Sequence, residues 1–419
     1  MRVGGWRSLA RLDVLHERDF RLFFLGHVTS VLGTFMAPVA ISFAVLREGG
    51  GPSEVGLVLM AQTVPLAVFM LAGGVIGDWL PRKVVMLTAD LMRCASQAML
   101  AFLLLTGSPS LVAFMALVGV LGLGSALFIP TEQGLIPQVT SAERLQDANA
   151  LRGVANSLGR TVGPAIGGAI VAAAGPAWAI AADAATYGAS AIFLARLPLT
   201  RAFQPARTSL LAGLRGGWHE FRSRTWLWAT VTQIALVNML VLAPFIVLGA
   251  VVADNALGGA TSWGAILAAE GAGAVCGGLL MLHVRPARPL LVATLATFAF
   301  APPLALLALH APTTAVAAGA FLAGAGLGIW DALWYTTLQR ETSPEAMARV
   351  TSYAALGSVA FLPLGYAITG PLSALLGVSF TLWLAVACLV VTTCFALALP
   401  SVRRLRGSTA SGRASSSNR

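Results

Sequence analysis

Four carboxyl groups lie inside long apolar stretches of this chain: Asp90, Asp183, Glu270 and Asp331. A carboxyl held away from water favours its neutral form unless a cation lies close. Such a group can take a proton from one side of a barrier and release it on the other. It can also serve simply as a hydrogen-bonding group between helices. Glu270 lies about eight residues into its apolar run and is the first candidate for proton coupling, followed by Asp331, Asp183 and Asp90. Asp90 and Arg93 stand three apart, on one helix face where they can pair. An unpaired charge at the centre of a spanning helix costs about 2.5–3.5 kcal/mol, so pairing or a wet cavity is expected. Arg160 is a candidate counter-charge for any of the acids. His27, in the first span, is a candidate pH-sensitive group, although a lone polar residue in such a run is more often packed.

Other chemistries find no support. The five histidines are scattered at 16, 27, 219, 283 and 310, with no His-Glu-x-x-His and no Gly-x-Ser-x-Gly elbow. Cys94, Cys276, Cys388 and Cys394 all fall in apolar runs without metal-ligand spacing and read as small hydrophobes. A phosphate-binding loop needs Gly-Lys-Ser/Thr, and the only lysine, Lys83, follows Arg82 and precedes Val84. Neither an enzyme nor an ATP-driven pump is expected, and no metal or cofactor.

The elements that must hold these groups follow from composition. The chain has 419 residues, 57% of them hydrophobic and only 11% charged. Soluble domains carry about 25% charged residues, so the solvent for most of this chain is a bilayer, where each spanning helix takes roughly 20 apolar residues. Twelve such segments lie near 22–46, 55–77, 84–106, 110–130, 148–174, 177–198, 226–252, 262–282, 290–309, 314–338, 350–374 and 378–399. The expected organisation is an N-terminal segment (1–21), a six-helix bundle (22–198), a central loop (199–225), a second six-helix bundle (226–399) and a disordered tail (400–419). The first apolar run is too long for a signal-peptide core. Within the central loop, Leu210, Leu211, Leu214, Trp218 and Phe221 recur at helical spacing, as in a short helix on a membrane surface.

Positive charge tests the count. With the N-terminus inside, only Arg47 of the 27 Lys and Arg residues falls in an outside connection; three (Arg93, Arg152, Arg160) fall well inside spans, and Arg196 lies at the inner edge of its segment. This alternation places both termini and the central loop in the cytoplasm. The net charge of +10 records topology and not nucleic-acid binding. Trp178, Trp226, Trp228 and Trp263, near segment ends, fit an interfacial aromatic belt.

Two motifs carry mechanism. Between spans two and three runs Gly73-Gly74-Val75-Ile76-Gly77-Asp78-Trp79-Leu80-Pro81-Arg82-Lys83, a tight basic turn whose glycines permit close helix approach. In span five, Gly159-Arg160-Thr161-Val162-Gly163-Pro164-Ala165-Ile166-Gly167-Gly168 repeats glycine every four residues, making one flat face, with a proline that bends the helix.

The first turn resembles the signature of the major facilitator superfamily, Gly-x-x-x-Asp-Arg-x-Gly-Arg-Arg/Lys. Gly74, Asp78, Arg82 and Lys83 match it, while Trp79 and Pro81 depart from it. The resemblance implies that this loop latches a cytoplasmic gate. The span-five sequence is similar to the antiporter motif of facilitator exporters, Gly-x-x-x-Gly-Pro-x-x-Gly-Gly, which it fits in full. Asp90-Leu91-Met92-Arg93, the stretch from Leu135 to Gly168, and Gln339, Pro344, Arg349, Val350 and Ser352 resemble the enterobactin-exporter-like branch, which includes drug-efflux members.

A weak internal repeat at an offset of 202 accompanies this: Thr140-Ser141-Ala142-Glu143 echoes Thr342-Ser343-Pro344-Glu345, and Gly163 and Gly168 echo Gly365 and Gly370. The resemblance implies an all-α membrane fold of 12 transmembrane helices in two six-helix bundles, the major facilitator fold. Spans one, four, seven and ten would line the cavity, making Gln233, Asn238 and Trp330, beside Asp331, candidate substrate contacts. The expectation is a monomeric exporter of a drug, siderophore or secondary metabolite in the cytoplasmic membrane, driven by protons. Uptake symport, or a receptor or scaffold without transport, is the alternative.

Overall fold

The computed structural model describes residues 11–198, 221–342, 350–351, 354 and 357–405, without the side chains of 11–12, 71–75 and 77–78. The expected surface helix before Phe221, the tail from 406, residues 343–345 of the repeat, Arg349 and Ser352 of the branch resemblance, and the side chain of Asp78 lie outside the described residues. What is described is helical, with no strand among the described residues.

After a 3-10 turn at Arg11–His16 come α1 (Arg18–Arg47), α2 (Pro52–Trp79), α3 (Arg82–Thr106), α4 (Leu111–Val139), α5 (Leu145–Ala174) and α6 (Pro176–Ala195). Then follow α7 (Thr225–Leu257), α8 (Ala260–His283), α9 (Pro289–Ala308), α10 (Thr313–Glu341), α11 (Gly357–Leu376) and α12 (Val378–Ala398). Eleven of these are long and apolar enough to cross a membrane. The exception is α5, a 30-residue helix that carries Asp147, Arg152 and Arg160. Its length suffices to span, but its charges and glycines dilute its hydropathy.

Two expectations need correction. Span four does not stop at residue 130: α4 continues through Pro130 and Pro137 to Val139, which brings Glu132 into the helix. Proline interrupts a helix less in a bundle, where neighbouring groups satisfy the freed carbonyls. Nor do all four tryptophans sit at an interface. Trp178 and Trp228 are exposed, but Trp226 is buried and Trp263 is only 1% exposed. Trp263 fills the space left by Gly249, where a Cβ would lie 2.2 Å from its ring.

The contacts divide the chain into two units. The first comprises 1–50 and 57–207, the second 51–56 and 208–419. In the first, α1 packs on α5 and α6, and α3 packs on α4 and α6. In the second, the most extensive pair is α8 with α10. There Gly273 and Gly277 of α8 meet the backbone of Phe321 and Ala325, while Gly324 and Gly328 of α10 meet that of Glu270 and Ala274. A Cβ on Gly324 would stand 1.8 Å from the Glu270 carbonyl oxygen, so only glycine permits this approach. Close backbone contact is how helices gain packing energy where water supplies no hydrophobic drive between them.

Among the described residues, α7 and α9 depart from regular α-helix. In α7, residues Asn238–Leu242 and Ala253–Leu257 form π turns. In α9, Thr297–Phe300 tightens to a 3-10 turn. Such irregularities concentrate at functional positions.

Candidate functional site

The first unit holds a polar interior built on α3. Asp90 and Arg93, one helical turn apart, form an ion pair, and both are buried. Each charge is further satisfied. The Ser190 hydroxyl of α6 donates to Asp90 Oδ2 at 2.6 Å. The Arg93 guanidinium lies over the rings of Phe128 (4.1 Å) and Tyr187 (4.4 Å), a cation–π sandwich between α4 and α6. Gly124 makes room for this side chain, since a Cβ there would lie 2.7 Å from Arg93 Cγ.

One turn further along α3, Gln97 Nε2 donates to Asp183 Oδ2 at 2.9 Å. Asp183 has no exposed surface. Against it stands Gly33 of α1, where a Cβ would fall 2.4 Å from Asp183 Oδ1. Tyr187 and Thr34 share a hydrogen bond of 3.2 Å, tying α6 to α1. The Asp90–Arg93 pair was readable from i,i+3 spacing. Its partners Ser190 and Gln97's partner Asp183, about 90 residues away in sequence, were not.

A second polar contact was missed entirely. His27 Nδ1 of α1 and Glu132 Oε1 of α4 are 2.6 Å apart, with side-chain exposures of 2% and 10%. The nitrogen and oxygen are close but not aligned as a hydrogen bond. Asn156 Nδ2 of α5 lies 3.5 Å from His27 Nε2. The sequence signal existed in Pro-Thr-Glu-Gln at 130–133, but ending the span at Pro130 put Glu132 in a loop.

The span-five motif packs against α1 along its glycine face. Cβ atoms on Gly159, Gly163 and Gly167 would come within 2.4 Å of Val31, 2.7 Å of Phe35 and 3.1 Å of Met36. Pro164 and Gly168 are buried in the same helix. Within the first unit, Arg160 makes no ion pair with Asp90 or Asp183; its guanidinium lies 5.7 Å from the Phe35 ring centre.

At the end of the bundle carrying the basic turn, Arg82 donates to the Gly134 carbonyl. Lys83 Nζ reaches the carbonyls of Ala195 (2.9 Å) and Leu197 (2.5 Å). Lys83 therefore caps the C-terminal end of α6, where the backbone dipole favours positive charge, while Arg82 bonds within α4, five residues before its last residue Val139. Nearby, Glu17 accepts from the Ser141 backbone N–H (3.0 Å) and hydroxyl (2.6 Å), with Arg144 at 3.5 Å. Gly74 and Asp78 lie in the last turns of α2, before this cluster.

The second unit holds the remaining candidates. Glu270 and Asp331 are half-buried on α8 and α10. Glu270 sits at the level of Gly324, and the seven residues from there to Asp331 place it roughly 10 Å further along the axis. Gln233 is buried and donates to Thr297 at 3.4 Å, itself 3.1 Å from Thr393. Asn238 opens the first π turn and donates to the Ser358 carbonyl at 2.8 Å. Trp330 is buried and stacks on Trp334 (5.5 Å between centroids), which meets Trp226 edge-on.

The sequence profile of a group described as transmembrane secretion effectors, within the major facilitator superfamily, matches residues 10–415. The chain belongs to this family. Similar curated proteins include the MFS-type transporter y4rN of Sinorhizobium fredii, 29% identical and covering 87% of this chain and 90% of the relative. The multidrug efflux pump Tap of Mycolicibacterium fortuitum is 25% identical over 92% and 96%. The enterobactin exporter EntS of Escherichia coli O1:K1 / APEC is 28% identical over 85% and 86%. Among solved structures, the nucleoside transporter NupG (D323A mutant) superposes with a TM-score of 0.73 at 14% identity, covering 91% of this chain and 99% of its own. A bacterial homologue of the iron transporter ferroportin gives 0.70 at 14%, covering 91% and 98%. The chain is thus a multi-pass membrane transporter with the major facilitator fold, twelve helices in two six-helix bundles.

Proposed function

We propose that this protein exports a small molecule, a drug, siderophore or secondary metabolite, across the cytoplasmic membrane in exchange for protons, by alternating access. The observation that carries the direction is the α5 glycine face: Gly159, Gly163 and Gly167 packed on α1, with Pro164 between them, in the sequence of the exporter motif. Similarity to an efflux pump and a siderophore exporter supports the same reading. The protein works as a monomer with both termini in the cytoplasm, since that orientation keeps all but one loop cation inside.

Gly74, Asp78, Arg82 and Lys83 act as the gate latch. Of the acids, Glu270 and Asp331 are the half-buried pair and remain first in order as proton carriers. Asp183 and Asp90 are fully buried, and each accepts a hydrogen bond, from Gln97 and Ser190 respectively. Gln233, Asn238 and Trp330 are the candidate cavity contacts, with Asn238 favoured by its place at a π turn.

The test is transport in inverted vesicles from an efflux-deficient bacterium, with antibiotics and siderophores, with and without a protonophore. Inward accumulation that collapses with the protonophore is expected. Accumulation in right-side-out vesicles instead, or transport indifferent to every ion gradient, overturns the proposal. Glu270→Gln is expected to abolish gradient-driven export while leaving substrate binding largely intact, and unchanged pH-dependent transport removes Glu270 from the set.

A further inference from the structure

Along the seam between α1 and α5, contacts follow a regular order. Gly159 meets Val31, Gly163 meets Phe35 and Gly167 meets Met36. One turn before Val31 on α1 is His27, and three residues before Gly159 on α5 is Asn156, so the His27–Asn156 contact continues the same seam. At that point α4 enters with Glu132. Three helices thus meet at one trio, a buried imidazole and carboxyl with a half-buried amide.

We propose that His27, Glu132 and Asn156 form a proton site at the end of the α1–α5 seam, through which proton occupancy governs how tightly the motif helix packs on α1. At 2.6 Å two unprotonated groups would repel, so the imidazole and the carboxyl together hold at least one proton. Nδ1 and Oε1 are not aligned as a hydrogen bond, so the contact does not assign that proton to either group. Asn156 suits either state of the ring. Its amide N–H donates to a neutral Nε2, and its carbonyl, after rotation of the amide, accepts from a protonated one. The Phe23 ring stacks on the imidazole at 6.0 Å and closes one side of the site.

The surrounding charges are already engaged. On α3, Asp90 and Arg93 pair with each other, and Arg93 lies over Phe128, one turn before Glu132. On α6, Asp183 bonds Gln97 and Tyr187 bonds Thr34. On α5, Arg160 lies over Phe35, and Arg152 offers its carbonyl to Asn156. Arg82 reaches the Gly134 carbonyl two residues beyond Glu132. Arg18, Asp19 and Arg21 occupy the first turn of α1, at least six residues before His27. Glu132 is the sole charged residue of α4. The proton therefore has one carboxyl and one imidazole to choose between.

The transport consequence rests on the export reading, but the site itself is tested without it. In the full chain in lipid nanodiscs, 15N-labelled histidine is followed by NMR from pH 5 to 9, with His27 assigned by H27Q. Wild-type His27 is expected to titrate, and E132Q to weaken its proton binding tenfold or more. N156L is expected to change it a few-fold. Should E132Q fail to fold, H27Q is read instead through the infrared band of the Glu132 carboxyl, which is expected to move by a comparable amount. A His27 signal that does not change across this range, or is identical in E132Q, overturns the proposal. An unmoved carboxyl band in H27Q does the same. In inverted vesicles, H27Q is expected to flatten the pH profile of export. A full wild-type pH profile in H27Q overturns the link to transport. A wild-type protein that moves no substrate defeats the export reading alone and leaves the titration result standing.

Discussion

In the first unit the interior is held by charge: Asp90 with Arg93, Asp183 with Gln97, and His27 with Glu132. In the second, the described interior is held chiefly by the absence of side chains along α8 and α10 and by the stacked rings of Trp226, Trp330 and Trp334. The difference is instructive because the two units descend through the same lipid and have the same helix count. A buried charge is expensive in hydrocarbon and survives only in a matched set, so the first unit ties α3 to its neighbours through the partners of its buried groups, Ser190, Phe128 and Tyr187 about the Asp90–Arg93 pair and Asp183 with Gln97. A glycine seam fixes helix positions by shape alone.

The comparison breaks most sharply at Arg93. Arg93→Met leaves Asp90 buried without its cation and is expected to cost about 3–5 kcal/mol, read as a lowered unfolding midpoint in detergent. The double variant Asp90→Asn/Arg93→Met should recover more than half of that loss. If it recovers none, packing of the guanidinium between Phe128 and Tyr187 outweighs the pairing.

Shape should dominate at Gly324. Gly324→Ala pushes a methyl into the Glu270 carbonyl and is expected to cost about 1–3 kcal/mol and most transport activity. Gly278→Ala is the internal control, since no atom lies within 4 Å of its Cβ position. It is expected to be neutral or to stabilise by up to about 1 kcal/mol through helix propensity. Equal losses in the two variants would show that the seam is not held by shape.

A smaller effect separates ring from hydroxyl at Tyr187. Tyr187→Phe keeps the ring under Arg93 and loses the bond to Thr34, at about 0.5–1.5 kcal/mol. Tyr187→Leu should cost more, because it also removes the cation–π contact. Smallest of all is Lys83→Ala, which removes two bonds to carbonyls at the end of α6. A stability loss of about 1 kcal/mol or less is expected, with a clearer drop in turnover, measured by vesicle transport.

Sequence periodicity reached the helices well, because twenty apolar residues in a row admit one structure in lipid. The segment expected at 84–106 is α3, Arg82–Thr106, and that at 378–399 is α12, Val378–Ala398. It failed where local rules meet a bundle. Proline at 130 is a stop signal in isolation, yet α4 runs through it, and with that error Glu132 was lost from the site. Spacing within one helix gave Asp90 with Arg93. It could not give Ser190 or Gln97's hold on Asp183, because those pairings depend on which helices are neighbours. Arg160 shows the same limit from the other side: a cation near several acids in sequence faces a phenyl ring in space. The π turns at Asn238–Leu242 and Ala253–Leu257 left no trace in hydropathy, since a widened turn is as apolar as a regular one.

Those widened turns bear on how α7 presents its surface. Each accommodates one residue more than a regular turn, and one residue of α-helix corresponds to about 100° of rotation. The stretch Ala243–Val252 is thereby turned about the axis relative to Thr225–Val237, so a single helix shows different faces to its neighbours above and below Asn238. Removing one residue at 238–242 would iron out the bulge and swing everything beyond it onto a new bearing, with Pro244 and Phe245 aimed away from their present neighbours.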